Sequence, residues 1–432
     1  MGAQKRAELR QEVDDPTLPI HYEEIMPELE LGYPFMPRLT REGYLDWPRL
    51  PDLFPTNFPG VQSKRDEFVV DIDRDRLAAR VEKYFDPTIA HEEIARLIPR
   101  AMDTTNRDYD AIETREYLLR RGYIAENIVR YCYRAFDYRW IYYEQETNLL
   151  QRRSPDYFPH VHSSNMWIEA RRREATDEFS RGTLVRALAD NFGNGFSNFF
   201  PLYLYQEPEP GNMFGRQVAG FVPNLSDRAQ AYLDDIGADE KALFYHTLAV
   251  LHATAYREEN AGALRQDFPR VPLPGSLAAL LASAQLGEQV AALLDVETPV
   301  PSVTAGDPRD DVADIAILTS PDGPPDFKVT AGWGRLQGGA VMPGRGSVHE
   351  DGKSVDVFLN DSTYWKNLPV SVWEYTLGGY QVLKKWLSYR ETAVLGRELR
   401  PDEAREFMVI ARRIAALLAL DEALNENYHR VV

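Results

Sequence analysis

The chain has 432 residues, 44% hydrophobic and 27% charged, an ordinary globular usage with room for two or three domains. Its formal charge of −18, from 49 Lys plus Arg against 67 Asp plus Glu, excludes non-specific nucleic-acid binding by the surface as a whole, because phosphates would be repelled. One cysteine, Cys132, excludes an intramolecular disulfide and a cysteine-only zinc site. The N-terminus reads as polar rather than as a signal peptide, and no stretch approaches the roughly 20 apolar residues of a membrane span. A soluble, cytoplasmic protein with no membrane partner is the expectation.

Residues 1–60 are punctuated by Leu-Pro, Met-Pro, Trp-Pro and Phe-Pro pairs, which favour extended or turn backbone. They predict an irregular connector. From Gly60 the pattern sharpens: residues 67–72 read as a strand, and Asp73 caps a helix whose apolar face is Leu77, Val81 and Phe85. Asp86-Pro87 is expected to start a second helix through Ile94 and Leu97, with a third around residues 117–121. The run 128–143 is dense in β-formers and predicts one or two strands, with Cys132 a buried, unreactive thiol among them. Residues 199–205 form another strand candidate.

Ser226 opens a helical block. Within it residues 243–255 are apolar almost all round and belong in the core, and residues 278–294 are Ala/Leu-rich and helical. Loops fill 298–325. Asp351-Gly352 signals a hairpin turn, and Val355, Val357 and Leu359 alternate after it. A C-terminal helix from Pro401 carries Phe407, Ile410, Ile414 and Leu417 on one face. Trp365, Trp373 and Trp386 read as core, and Lys384 and Lys385 as a solvated helix face. The sum is an α+β fold: mixed sheets, a helical block in the middle and a closing helix. Its expected divisions are the connector 1–60, an α+β region 61–370 and a closing segment 371–432 packed on it.

Catalytic signals are missing. There is no Gly-rich turn for S-adenosylmethionine and no Asp/Asn-Pro-Pro-aromatic segment. Gly323-Pro-Pro-Asp-Phe327 lacks the residue that must precede its prolines. Asp322 with Asp351-Gly-Lys353 formally matches a Mg²⁺-nuclease pattern, but a hairpin turn explains the second half better. His160-Val-His162 has no third ligand at a telling spacing, and His91-Glu-Glu lacks the second His of a zincin helix. Neither a Gly-x-Ser-x-Gly elbow nor a phosphate loop occurs.

Several strings nevertheless stand in a distinctive order. They are Gly60-Val-Gln-Ser-Lys-Arg-Asp-Glu-Phe68, Tyr133-Arg-Ala-Phe-Asp-Tyr-Arg-Trp-Ile-Tyr-Tyr143 and Phe200-Pro-Leu-Tyr-Leu-Tyr205. After them come Tyr245-His-Thr-Leu-Ala-Val-Leu-His-Ala-Thr-Ala-Tyr-Arg257, Asp267-Phe-Pro-Arg-Val-Pro-Leu-Pro274 and Val372-Trp-Glu-Tyr-Thr-Leu-Gly-Gly-Tyr-Gln-Val-Leu-Lys-Lys-Trp386. Together they resemble the C-terminal specificity region of type ISP restriction–modification enzymes, with Ala135 where the family string has Pro. The resemblance implies recognition of a specific duplex DNA sequence for an N6-adenine methyltransferase. It also implies partners that carry the methyltransferase and the translocase–nuclease, with S-adenosylmethionine, ATP and Mg²⁺ belonging to them.

DNA contact then needs a local basic surface, and residues 130–186 hold ten Arg against eight acids, leaving the rest of the chain at −20. Arg152, Arg153 and the cluster Arg171, Arg172 and Arg173 are the candidates for phosphate, and Asn165 for the base edges. Arg134 and Arg139 flank Asp137, so an internal ion pair competes with DNA contact there. Two other readings stand beside this one: an acidic DNA mimic that inhibits such enzymes, and the nuclease of Asp322, Asp351 and Lys353. A mimic should line acids along one face, whereas here the signs alternate.

Overall fold

The computed structural model describes residues 40–103, 109–172, 182–192, 196–206, 220–333 and 344–432. Period-2 alternation in one small antiparallel sheet organises the architecture. Its strands run in the order Phe58–Pro59, Asn198–Pro201, Trp167–Ala170, Thr183–Val185. Successive side chains of a strand point to opposite faces. Phe58, Trp167, Val185 and Phe199 therefore enter one hydrophobic core, while Ile168, Ala170, Leu184 and Phe200 enter another. The sheet is buried on both sides and divides the two cores.

The first core holds a second sheet, ordered Val70–Asp71, Asp137–Tyr142, Ile128–Arg134, Leu188–Ala189. The expected strands of 128–143 are a hairpin, turning through Ala135 and Phe136. Asp73 caps the helix Arg74–Tyr84 as expected, accepting the amides of Asp75 and Arg76. Residues 67–72 differ from expectation. Asp66–Val69 is a helical turn and only Val70–Asp71 is strand. The turn carries Phe68 and Val69 inward together, and Phe68 meets Tyr84 at 4.6 Å. The Asp86-Pro87 helix starts later, at His91, because the Asp86 side chain closes a local turn on Thr88 instead. Cys132 is buried, as its neighbours suggested.

The second core is helical and C-terminal. Ser226 caps Asp227–Ile236, and Glu240–His252 packs along Leu277–Leu294. A Cβ at Gly287 would sit 1.7 Å from the Tyr245 carbonyl oxygen, so a glycine is what lets these helices approach. Leu277–Leu294 is apolar enough by composition and length to cross a membrane, against the reading that no segment comes near this. Here it packs against three other helices, Glu240–His252, Pro401–Ala419 and Asp421–Val431.

The third sheet, ordered Ile317–Thr319, Tyr364–Pro369, Ser354–Phe358, Gly346–Val348, includes the hairpin signalled by Asp351-Gly352. Trp365 stacks on Phe407 of the closing helix at 4.0 Å, and Trp386 also meets that ring. The closing segment thus shares its core with the late sheet and the helical block. The expected connector is docked from Tyr44 on: Tyr44, Leu50 and Leu53 are buried in the same core. Residues 1–39 lie outside the described residues.

Candidate nucleic-acid interface

The hairpin places Arg134 and Arg139 in different settings. Arg139 donates to Asp137 at 2.6 Å, and Arg390 from the C-terminal region reaches the other Asp137 oxygen at 3.1 Å. All three side chains are at most 10% exposed. Burial disfavours the Asp137 carboxylate, but the two guanidinium groups outweigh that and hold its pKa well below the usual range. Arg139 also lies over the Tyr133 ring at 3.8 Å. It is an interior residue, and the internal pair is the arrangement present.

Arg134 turns to Asp190 instead, at 3.0 Å. The pair forms one wall of a cleft of about 310 Å³ lined by Gln62, Ser63, Lys64, Asp66, Glu67, Arg100 and Phe192. Backbone pairing builds it. The Val61 amide donates to the Ala189 carbonyl and the Asn191 amide to the Val61 carbonyl, each at 2.8 Å. A Cβ at Gly60 would stand 2.6 Å from the Asn191 nitrogen, so glycine sets the closeness of these two segments. The Tyr133 hydroxyl donates to Asp66 and the Tyr131 hydroxyl to Asp190, both at 2.7 Å. Ser63 donates to the other Asp66 oxygen. Burial raises the Asp190 carboxyl, and Arg134 pulls it back down. Strings separated by some 70 and 125 residues, at 60–68, 131–134 and 190–192, thus meet at one place.

Two cations, one lining the cleft and one next to a lining residue, face solvent. Lys64 is exposed and holds a left-handed backbone, φ +59°. Arg152 is exposed and lies beside Gln62, to which its backbone is paired in both directions at 3.0 Å. Among the described residues neither makes an ion pair. Arg100 joins them at 52% exposure, tied to Glu67 and Asp103.

The remaining candidates spread out. Arg153 is half-buried and donates to the Gln145 carbonyl at 2.6 Å. Arg171 is half-buried, Arg172 stands 3.7 Å from Asp267, and Arg173 lies outside the described residues. Asn165 corrects the expectation that it lies near bases: it is 0% exposed, and its amide is saturated. It donates to the His160 and Tyr203 carbonyls at 2.9 Å and accepts the Met166 and Tyr203 amides. No base can reach it. Conversely, Lys64 and Gln62 line the cleft and were not among the candidates, although they sit inside the 60–68 string.

Arg130 and Arg186 flank a second cavity of about 580 Å³, and each is paired with an acid from the loop after Leu294: Glu297 and Asp295, both at 2.7 Å. The surplus of arginine in 130–186 is therefore largely absorbed by ion pairs rather than spread as a basic patch. His160 accepts the Tyr205 amide at 2.8 Å and stacks on Phe58, so it serves the fold. Asp351 accepts the Lys353 amide in the hairpin turn, which accounts for that pair without a metal. Among the described residues no group of three or more His, Cys, Asp or Glu is placed to hold one. The arrangement offers charge and hydrogen bonds to a ligand.

The chain matches the type ISP C-terminal specificity domain over residues 52–409 and belongs to that family. Among solved structures it is similar to a cryo-electron-microscopy DrdV–DNA complex, with a TM-score of 0.60 and 20% identity over 87% of this chain and 36% of that one. It is also similar to a nuclease-deletion mutant of the type ISP enzyme LlaGI in complex with a DNA substrate mimic: TM-score 0.58, 16% identity, 90% of this chain and 29% of that one. A third is LlaBIII, an ATP-dependent type ISP restriction–modification enzyme bound to DNA: TM-score 0.59, 16% identity, 90% and 24%. The chain thus spans between a quarter and about a third of these longer chains. No curated protein matches it.

Proposed function

We propose that this chain reads a specific duplex DNA sequence on behalf of a restriction–modification enzyme, and that the rim formed by Gln62, Lys64 and Arg152 is part of the contact surface. One observation carries the reading: in a chain of charge −18, two exposed cations make no ion pair among the described residues, Lys64 lining the cleft where the 60–68 string meets Arg134, and Arg152 backbone-paired to Gln62 of the same lining. Lysine and arginine at such a rim bind phosphate, and glutamine can read adenine. The catalytic work falls to partners: an N6-adenine methyltransferase using S-adenosylmethionine, and a translocase–nuclease using ATP and Mg²⁺, all in the cytoplasm.

The test is selection from a random duplex library with the purified chain at low salt, followed by affinity against salt concentration. Enrichment of one short adenine-containing site, with a salt slope reporting a few phosphates, supports the reading. Repeating the selection with the partner methyltransferase added covers a cleft that needs both proteins. Failure to enrich any site in either experiment overturns it.

A further inference from the structure

Phe196 is the most exposed large apolar side chain among the described residues, at 70%. It also holds a left-handed backbone, φ +50°, which a residue with a Cβ adopts only at a cost in free energy. Among the described residues its ring contact is the edge of Phe192, centroids 4.9 Å apart and planes at 67°. Phe192 in turn lines the cleft with Gln62, Lys64 and Arg100.

The support under this aromatic pair is firm. The Phe192 amide donates to Asp190 at 2.7 Å, and Asp190 is held by Arg134 and Tyr131. On the other side the Ser197 amide donates to the Asn191 carbonyl at 3.1 Å, and the Ser197 hydroxyl to the buried Glu169. A hydrogen-bonded base therefore presents the exposed Phe196 ring on Phe192, which lines the cleft together with Lys64.

We infer that Phe196 is a wedge that inserts at a base step of the bound duplex, with Phe192 as its buttress. The inference rests on the DNA reading above. Charge complementarity selects the occupant: Lys64, exposed on the cleft lining and without an ion pair among the described residues, holds a phosphate, and the Phe196 ring on Phe192 finds the apolar face of a neighbouring base. Aromatic wedges of this kind unstack one step and kink the duplex, and stacking returns part of what unstacking costs.

The experiment uses the full chain and duplexes carrying the selected site, with 2-aminopurine stepped through it one position at a time. Wild-type protein should raise the fluorescence at one step. Phe196→Ala should abolish that rise and weaken binding by about tenfold, a typical loss for one base–aromatic stack. Phe196→Trp should keep both. Phe196→Gly separates function from folding: it relieves the left-handed backbone, so its melting temperature should hold or rise while the affinity still falls. Equal affinity and an equal fluorescence profile in wild type and Phe196→Ala would overturn the wedge and leave the DNA reading standing. The same holds if Phe196→Ala binds DNA normally and loses only its association with a methyltransferase, because the ring would then serve a protein contact. If wild-type chain, alone or with that partner, binds no duplex, both inferences fall together.

Discussion

The arginines around Asp137 and the cations around Gln62 are the same kind of residue put to opposite uses. Arg139 and Arg390 are 10% and 1% exposed, share one carboxylate and join the hairpin to the C-terminal region. Lys64 and Arg152 are exposed and make no ion pair among the described residues. A buried charge that loses its counter-ion costs several kcal/mol, whereas an exposed one costs little either way. The interior set should therefore act on stability alone, and the rim on binding alone.

The largest effect should come from Asp137→Ala, which leaves two guanidinium groups buried without their anion. Loss of about 3–5 kcal/mol is expected for a broken buried pair, read as a lower urea midpoint at unchanged slope. The sign of the pH dependence is fixed by the lowered carboxyl. The stabilisation is present above the ordinary carboxylate range and is lost only as pH falls through the folded-state value, so wild type and variant should converge in strong acid. A variant as stable as wild type at neutral pH would end the claim that the two regions differ in kind.

Glu169 sharpens the comparison from the other side, as a buried carboxyl with no ion pair among the described residues. Burial raises its pKa from an ordinary 4.5 to about 7, against the Ser197 hydroxyl, which favours the charged form. Between these values the folded state holds more protons than the unfolded one, so this group's contribution to stability declines as pH rises through that window. At 1.36 kcal/mol per unit the decline is on the order of 3 kcal/mol. Glu169→Gln should flatten it, and denaturation curves at pH 5, 6, 7 and 8 would show parallel behaviour in both proteins if the assignment is wrong.

Asn165→Ala comes next. The amide makes four hydrogen bonds to backbone around Met166 and Tyr203. Leaving buried backbone groups unsatisfied costs about 1–3 kcal/mol. Affinity for DNA per folded molecule should stay unchanged. A variant with normal stability and relaxed site preference would return Asn165 to the bases.

These cases also mark what could be read from residues alone. Caps and periodicities were legible: Asp73, Ser226 and the Phe407, Ile410, Ile414, Leu417 stripe each fixed an element, because the physics involved spans only a few neighbours. The family strings were legible as an ordered set. Which polar groups face solvent was not, because that depends on partners distant in sequence. Arg390 lies 253 residues from Asp137, and Tyr203 lies 38 from Asn165. The helical turn at Asp66–Val69 was hidden for the same reason, its apolar residues suiting a strand equally well until Tyr84 supplies the contact. Lys64 sat in a quoted string, and nothing local distinguished it from Arg65 beside it, which is buried over the Tyr109 ring.

The rim substitutions carry the smallest stability effect and the most direct test of function. Lys64→Ala and Arg152→Ala remove exposed charges that make no ion pair among the described residues, so each should leave stability within about 0.5 kcal/mol of wild type. Each should also lower the salt dependence of DNA binding by roughly one unit in the log–log slope, equally on all sequences, since phosphate carries no base identity. Gln62→Ala should behave differently: its slope stays and its discrimination at one base pair falls by about 1–3 kcal/mol. Combining Lys64→Ala with Arg152→Ala should add on the slope, because two phosphate contacts release two sets of counterions. A double variant that binds with the wild-type slope would move the interface away from this cleft, while an Arg139→Ala protein that loses slope without losing stability would place it back among the arginines of the hairpin.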